Sequence, residues 1–362
     1  MKHIYFTVTN DLNYDQRMHR ICHSLASHGF KITLVGRELP TSLPLQTVSF
    51  EQKRIRCFFK KGFLFYKEYN LRLFFYLLQK KMDGICAIDL DTILPCYFIS
   101  VIKRIPRIYD AHEYFTEMKE VRTRRLVKSF WTFIEKFAVP RFKYGYTVGD
   151  KLAEVFNNKY RRNFIAIKNF PVLNSNRGIW SSESYLYYGG AVNEARGFEY
   201  LIPAMKSINY QLIIAGDGNF MGKLKVLIQQ NNISEKIELK GMLPPAELRN
   251  YAEKATLGIA LAEKQGLNQF LALPNKFLDY IHAGIPQITM NYPEYQEINN
   301  HFKVAVLIDD LSPNKLSETI NQTMKDKELL EEMHRNTLKA KEIYNWQNEE
   351  KKLINFYNQI FS

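Results

Sequence analysis

Short apolar runs alternate with longer amphipathic stretches along the whole chain, and the pattern starts afresh near its middle. That repetition limits the fold more than any single residue does. In the first half, His3–Val8, Ile32–Val35, Gly84–Ile88, Arg107–Tyr109, Gly145–Val148 and Phe164–Ile167 read as strands. Between the first two, Arg17, Ile21, Leu25 and Ala26 recur at helical spacing, and Gly29 ends that helix. The second half predicts strands at Tyr185–Tyr188, Gln211–Ile214, Ile237–Leu239, Leu257–Ile259, Gln287–Met290 and Ala305–Ile308, with helices starting near Phe198, Met221, Pro245, Asn275 and Pro313. Strands joined through helices run parallel, so each half predicts a doubly wound α/β sheet. The polar, non-periodic stretch from Asn169 to Trp180 reads as a linker.

At 362 residues the chain divides naturally into 1–172, 173–344 and a final helix, 345–362, with Trp346, Leu353, Ile354, Tyr357, Ile360 and Phe361 on its apolar positions. The expected architecture is two Rossmann-like domains facing across a cleft, where such sheets bind ligands outside their carboxyl ends. No run approaches the roughly 20 apolar residues of a membrane span. Met1-Lys-His-Ile enters a strand directly, so no signal peptide is expected. Cys22, Cys57, Cys86 and Cys96 have no paired metal-type spacing, which points to reduced thiols and a cytoplasmic location.

The net charge of +13 is unevenly placed. Residues 1–172 carry 30 Lys/Arg against 15 Asp/Glu, while the remainder carries 20 against 22. The excess concentrates at 51–81 and 117–145, interleaved with aromatics such as Phe130-Trp-Thr-Phe133. Such a face suits an anionic membrane surface or nucleic-acid phosphates. A nucleic-acid binder would leave the motifs of the near-neutral half unused, so the membrane is the expected partner.

Those motifs suit a nucleotide sugar. Leu273-Pro-Asn-Lys-Phe-Leu-Asp-Tyr280 places Asn275 and Lys276 in the first turn of a helix and Asp279 one turn on, with Gly284 and Pro286 stopping it. A helix N-terminus concentrates unpaired N–H groups and positive dipole, which suits a diphosphate. A carboxylate one turn further along can hold the two hydroxyls of a ribose. Tyr185-Leu-Tyr-Tyr-Gly189-Gly190 leads through Ala191 to Arg196-Gly197, a glycine turn followed by a cation; Ile213-Ile-Ala-Gly216-Asp-Gly218 and Gly241 also close strands with glycine.

This order of motifs resembles family 4 glycosyltransferases, retaining enzymes of GT-B architecture, and more narrowly a branch reading Pro-Asn-Lys, two residues, then an acid and Tyr. The resemblance implies transfer of a sugar from a nucleotide diphosphate sugar, UDP- or GDP-linked, to a saccharide or lipid-linked acceptor in surface glycan synthesis. It implies donor contacts from Gly189, Gly190, Arg196, Gly216, Gly241, Asn275, Lys276 and Asp279. On the acceptor side it implies Asp15, Arg17, His112 and Glu113, with His112, Arg196 and Lys276 catalytic. Asp110-Ala-His112-Glu113 could also spell a metal site, but no second His cluster accompanies it, so neither metal nor cofactor is expected.

The second half departs from the family pattern at two positions. Ala191 stands where many members carry Arg, and Leu271 stands where an acid usually precedes the ribose-binding one by eight residues; Glu263 could partly substitute. These departures leave open a non-catalytic nucleotide-binding relative or a sugar-nucleotide epimerase.

Overall fold

Gly84–Ile88 is buried at all five positions, as a strand must be when helices cover both faces of its sheet. The computed structural model describes residues 1–174 and 183–362, and shows two doubly wound α/β units. The first comprises Met1–Asn169, Gly266–Asn268 and Asn348–Ser362; the second comprises Phe170–Gln265 and Gln269–Gln347.

In the first unit, strands β1 (His3–Thr7), β2 (Lys31–Glu38), β3 (Glu51–Arg56), β4 (Gly84–Ile88), β5 (Arg107–Ala111), β6 (Tyr144–Thr147) and β7 (Ile165–Ala166) form one parallel sheet. Its order is β3-β2-β1-β4-β5-β6-β7, so the winding reverses between β1 and β4. The connecting helices are α1 (Gln16–Ser27), α2 (Gly62–Leu78), α3 (Ile93–Lys103), the short α4 (Lys119–Arg122), α5 (Arg125–Ala138) and α6 (Asp150–Tyr160). The second unit repeats the plan with β8 (Tyr185–Gly189), β9 (Gln211–Ala215), β10 (Ile237–Gly241), β11 (Leu257–Ala260), β12 (Gln287–Met290) and β13 (Ala305–Ile308), in the order β10-β9-β8-β11-β12-β13. Its helices are α7 (Phe198–Ala204), α8 (Met221–Gln230), α9 (Pro245–Lys254), α10 (Leu267–Phe270), α11 (Asn275–Ala283), α12 (Pro293–His301), α13 (Pro313–Lys325) and α14 (Lys327–Ile343). A last helix, α15 (Trp346–Phe361), places its residues from Asn348 onward in the first unit.

Alternation along β1 shows which helices cover which face. Phe6 meets the Tyr357 ring of α15 at 5.9 Å, whereas its neighbour Thr7 meets Cys96 of α3 at 3.1 Å. Tyr5, on the Thr7 side, meets Tyr76 of α2 at 6.5 Å. Helices α2 and α3 therefore share one face and α15 takes the other. On the α15 face, the hydroxyls of Tyr357 and Tyr146 lie 3.2 Å apart. Gly84 admits the ring of Phe361, because a Cβ there would stand 2.3 Å from its Cζ.

The predicted strands and helix starts of the second half coincide with β8–β13 and with α7, α8, α9, α11 and α13 to within a residue or two. Strand β3 was not expected, and the reason is physical. Of its six residues only Ile55 is buried, because it is the sheet edge, so no apolar run marks it. Helices α12 and α14 were likewise unread. Of the expected linker, residues 175–180 lie outside the described residues. Among the described residues no helix is long and apolar enough to cross a membrane.

Replacing Tyr357 with Ala should remove a fully buried ring from the first unit and cost about 3–5 kcal/mol. Urea unfolding followed by far-ultraviolet circular dichroism checks this, and a shift of the transition below 1 kcal/mol would contradict the packing.

Candidate functional site

Both sheets bring charged residues to the carboxyl ends of their central strands. In the second unit the winding reverses between β8 and β11, and β8 ends in Gly189 and Gly190. The turn is fixed from two sides: Gly190 N donates to Ala215 O at 2.8 Å, and Gly189 N donates to the Tyr280 hydroxyl at 3.0 Å. That hydroxyl in turn donates to Tyr187 O at 3.2 Å, so α11 is tied directly to the strand carrying the turn. Gly216 follows β9 with φ +147°, and a Cβ on it would stand 1.9 Å from Gly190 O. Only glycine lets the two turns approach this closely. Gly216 N donates to Gly241 O at 2.7 Å, which brings the third glycine beside them.

Helix α11 begins at Asn275 after Pro274 and ends at Gly284, as its sequence predicts. Asn275 and Asp279 are exposed, while Lys276 turns inward. Its Nζ is buried, has no hydrogen-bond acceptor, and stands 2.8 Å from the centroid of the Tyr188 ring. Burial pushes the Lys276 ammonium far below its ordinary range, and the Arg196 guanidinium lowers it further, with Asp279 opposing only in part. Arg196 is half-buried after Ala195, a non-glycine residue at φ +63° whose carbonyl accepts from Glu263 N at 3.1 Å. A guanidinium and a buried amine with no acceptor, both at a glycine turn, can receive an anion.

Glu263 also opens a cavity of about 550 Å³ at the carboxyl ends of β11–β13, with Tyr200, Gln265, Asn291, Tyr292 and Asp309 among its lining residues. Gln265 Nε2 donates to Glu263 at 2.9 Å. Leu271 is partly buried and offers no acid. Sequence reasoning passed over Tyr188 and Tyr280, although both stand inside the quoted motifs. Nothing in the spacing told that a phenol would carry the turn.

In the first unit, Asp110 lies within the buried run of β5 and is held between two cations. Arg17 donates to its Oδ1 at 3.2 Å, and His112 Nε2 lies 3.0 Å from its Oδ2. Burial would raise the Asp110 carboxyl, yet His112 and Arg17 hold it below its ordinary value. Burial likewise opposes charge on His112, but Asp110 overrides it and lifts the imidazole to about 9. His112 is therefore an imidazolium at neutral pH, able to donate a hydrogen bond and unable to act as a base.

Two expected acceptor contacts take other roles. Arg17 is only 6% exposed and also donates to Ile167 O at 2.9 Å, so it supports Asp110 rather than facing an acceptor. Asp15 caps α1, accepting from Met18 N at 3.1 Å. Glu113 is half-buried, with its amide 3.3 Å from Asp89 Oδ1, and Asn268 Nδ2 donates to its carboxylate at 3.4 Å.

Asp89 and Asp91, just after β4, join this cluster. Asp89 has φ +53° and accepts from His112 N at 2.9 Å. Burial raises its carboxyl to about 8 and that of Asp91 to about 6. The signal was their place at the end of the run Gly84–Ile88.

Residues 174–340 match the family described as glycosyl transferases group 1. Among curated proteins, an uncharacterized glycosyltransferase of Methanocaldococcus jannaschii is 24% identical over 187 residues, covering 50% of this chain and 46% of the relative. Alpha-monoglucosyldiacylglycerol synthase of Streptococcus pneumoniae is 25% identical over 177 residues, covering 47% of this chain and 36% of the synthase. The chain thus spans about half or less of those relatives' length. Solved structures match throughout: sucrose-phosphate synthase of Thermosynechococcus elongatus with a TM-score of 0.81 at 13% identity, covering 100% of this chain and 99% of that one. Anabaena HepE in complex with UDP and glucose gives 0.77 at 11%, covering 99% and 100%. At these identities the likeness shows the fold, which is GT-B.

The cluster around Asp110 makes the first unit pH-sensitive. His112 and Asp89 both have native pKa values above their unfolded ones, so each contributes stability at low pH that is lost as pH rises. For Asp89 the loss spans the ordinary carboxylate range to about 8, and for His112 it runs from 6.5 to about 9. Across thermal melts from pH 6 to 9.5 the stability margin of wild type over His112→Gln should shrink as pH rises, a comparison in which the opposite contribution of the buried Lys276 amine is common to both proteins. A margin that grows with pH would contradict the arrangement.

Proposed function

We propose that this chain is a retaining glycosyltransferase of the Pro-Asn-Lys branch, transferring a hexose from a UDP- or GDP-linked donor to a saccharide or lipid-linked acceptor in surface glycan synthesis. The observation that carries the reading is the buried Lys276 Nζ without an acceptor, beside Arg196 and under a turn made of glycine. A diphosphate fits that chemistry. It would supply the missing acceptor and restore the ammonium's charge, and the N–H groups of the first turn of α11 lie next to Lys276. Exposed Asp279, one turn on, is placed for the ribose hydroxyls, and Glu263 with Gln265 for hydroxyls of the sugar.

In this reading, charge growing on the departing diphosphate is offset by Arg196 and Lys276, and the acceptor enters on the face the diphosphate leaves. The diphosphate oxygen takes the acceptor proton, so no side-chain base is needed. His112, an imidazolium, donates to an acceptor or sugar hydroxyl. Two protein cations make a divalent metal unnecessary for this step. The protein works at the cytoplasmic face of a membrane, held peripherally by the basic residues of 1–172.

Calorimetry with UDP and GDP tests the donor site. Arg196→Ala and Lys276→Ala should each weaken the better ligand by about 1.5–3 kcal/mol with folding intact, and Asp279→Asn by less. Unchanged affinity in both cation variants would refute the assignment. Binding to wild type should also take up protons near neutral pH, read from its dependence on buffer ionisation enthalpy, and Lys276→Met should abolish that uptake. Sugar transfer in excess EDTA should stay within about threefold of its rate with magnesium, the residual charge term being carried by the two side chains.

A further inference from the structure

More than half of the exposed large apolar side chains among the described residues lie between Phe58 and Phe133, on three helices that pack side by side on one face of the first sheet and on the loop before the first of them. Helix α2 is apolar on both sides. Phe65, Tyr69, Leu73 and Leu77 face the core, while Leu64, Leu71, Phe75 and Leu78 lie on the opposite side and are exposed. A helix apolar all round has a second apolar environment to meet. Beside it α3 exposes Phe98, Val101 and Ile102. Helix α5 continues the surface with Phe130, Phe133 (69% exposed) and Leu126 (88%). Edge-to-face rings join the helices, Phe63 to Phe130 at 5.6 Å and Tyr97 to Phe137 at 5.4 Å.

The margin of this surface is basic. Lys60, Lys61, Lys67, Arg104, Arg125 and Lys136 are all exposed. The carboxylate nearest the start of α2, Glu68, is already engaged: it accepts from the amides of Phe58 and Phe59 at 2.9–3.0 Å and from Arg72 at 2.8 Å. Those bonds hold the loop before α2 with the Phe58 ring 82% exposed next to Lys60 and Lys61. A cavity of about 840 Å³ beside the loop is lined by Arg56, Lys60 and Arg72, with room for a phosphate headgroup.

We propose that the outer face of α2, α3 and α5 inserts among the lipids of an anionic bilayer, with Phe58 and the helix aromatics in the acyl boundary and the basic margin on headgroup phosphates. This rests on the membrane contact of the reading above and deepens it: charge brings the protein to the surface, and apolar side chains then enter it. A second copy of this chain fits the face less well, because two basic margins would oppose each other.

The test is sedimentation with phosphatidylglycerol–phosphatidylcholine vesicles at low and at high salt, with full-length protein. Electrostatic attraction fades with salt and apolar insertion does not, so wild type should keep a salt-resistant fraction of its binding. A triple variant, Leu71→Ser, Phe75→Ser and Phe133→Ser, substitutes exposed positions. It should bind at least about tenfold more weakly at high salt while still sedimenting at low salt. UDP calorimetry on the same variant verifies that it folds. Binding lost entirely at high salt, with the variant equal to wild type, would overturn insertion and leave the electrostatic contact standing. No sedimentation at low salt would overturn both. A dimer in analytical ultracentrifugation that the triple variant dissolves would assign the face to a second copy instead.

Discussion

The carboxyl end of the second sheet is organised around one buried lysine. Lys276 Nζ sits on the Tyr188 ring with the Arg196 guanidinium acting on it, an arrangement that disfavours its charge in the empty protein. A buried amine in that position persists only if its surroundings cannot rearrange, and the surrounding bonds explain why they cannot. The Tyr280 hydroxyl fixes the turn above it, Gly216 presses against that turn from the neighbouring strand, and Pro274 and Gly284 fix the two ends of the helix that delivers it. The same rigidity removes the cost of reorganising dipoles when an anion arrives, which is the physical basis of preorganisation.

The first unit treats a buried charge in the opposite way. Asp110 is compensated on both sides, by Arg17 and by His112, so its cluster is satisfied internally. What it presents outward is one imidazolium on a rigid base. Asp89, strained at positive φ, contributes the carboxylate on which the next two amides turn. The second sheet thus offers an amine with no acceptor at its carboxyl end, and the first offers a cation already provided with a partner.

The parallel sheets were legible because buried strands have to be apolar on both faces, and runs such as Gly84–Ile88 or Gln287–Met290 are recognisable without context. Helix α11 was legible from its punctuation, Pro274 before it and Gly284 after it. Strand β3 was not, because an edge strand buries one residue in six and reads as a charged loop. The site was legible in its charges and glycines and illegible in its supports. Arg17 spells like a cleft residue but its guanidinium is directed to Asp110, a partner 93 positions away. Tyr280 and Asp89 act through hydrogen bonds to backbone, and no periodicity records such bonds.

The apolar face of α2, α3 and α5 also governs how the protein behaves at high concentration in water. Like charge around that face keeps copies apart, and the repulsion extends only as far as the ionic atmosphere allows, about 8–10 Å near physiological strength. Added salt shortens that distance while leaving the attraction between exposed rings intact. The chain should therefore be most soluble in dilute buffer and come out of solution as ionic strength rises, the reverse of a protein whose copies associate through opposite charges.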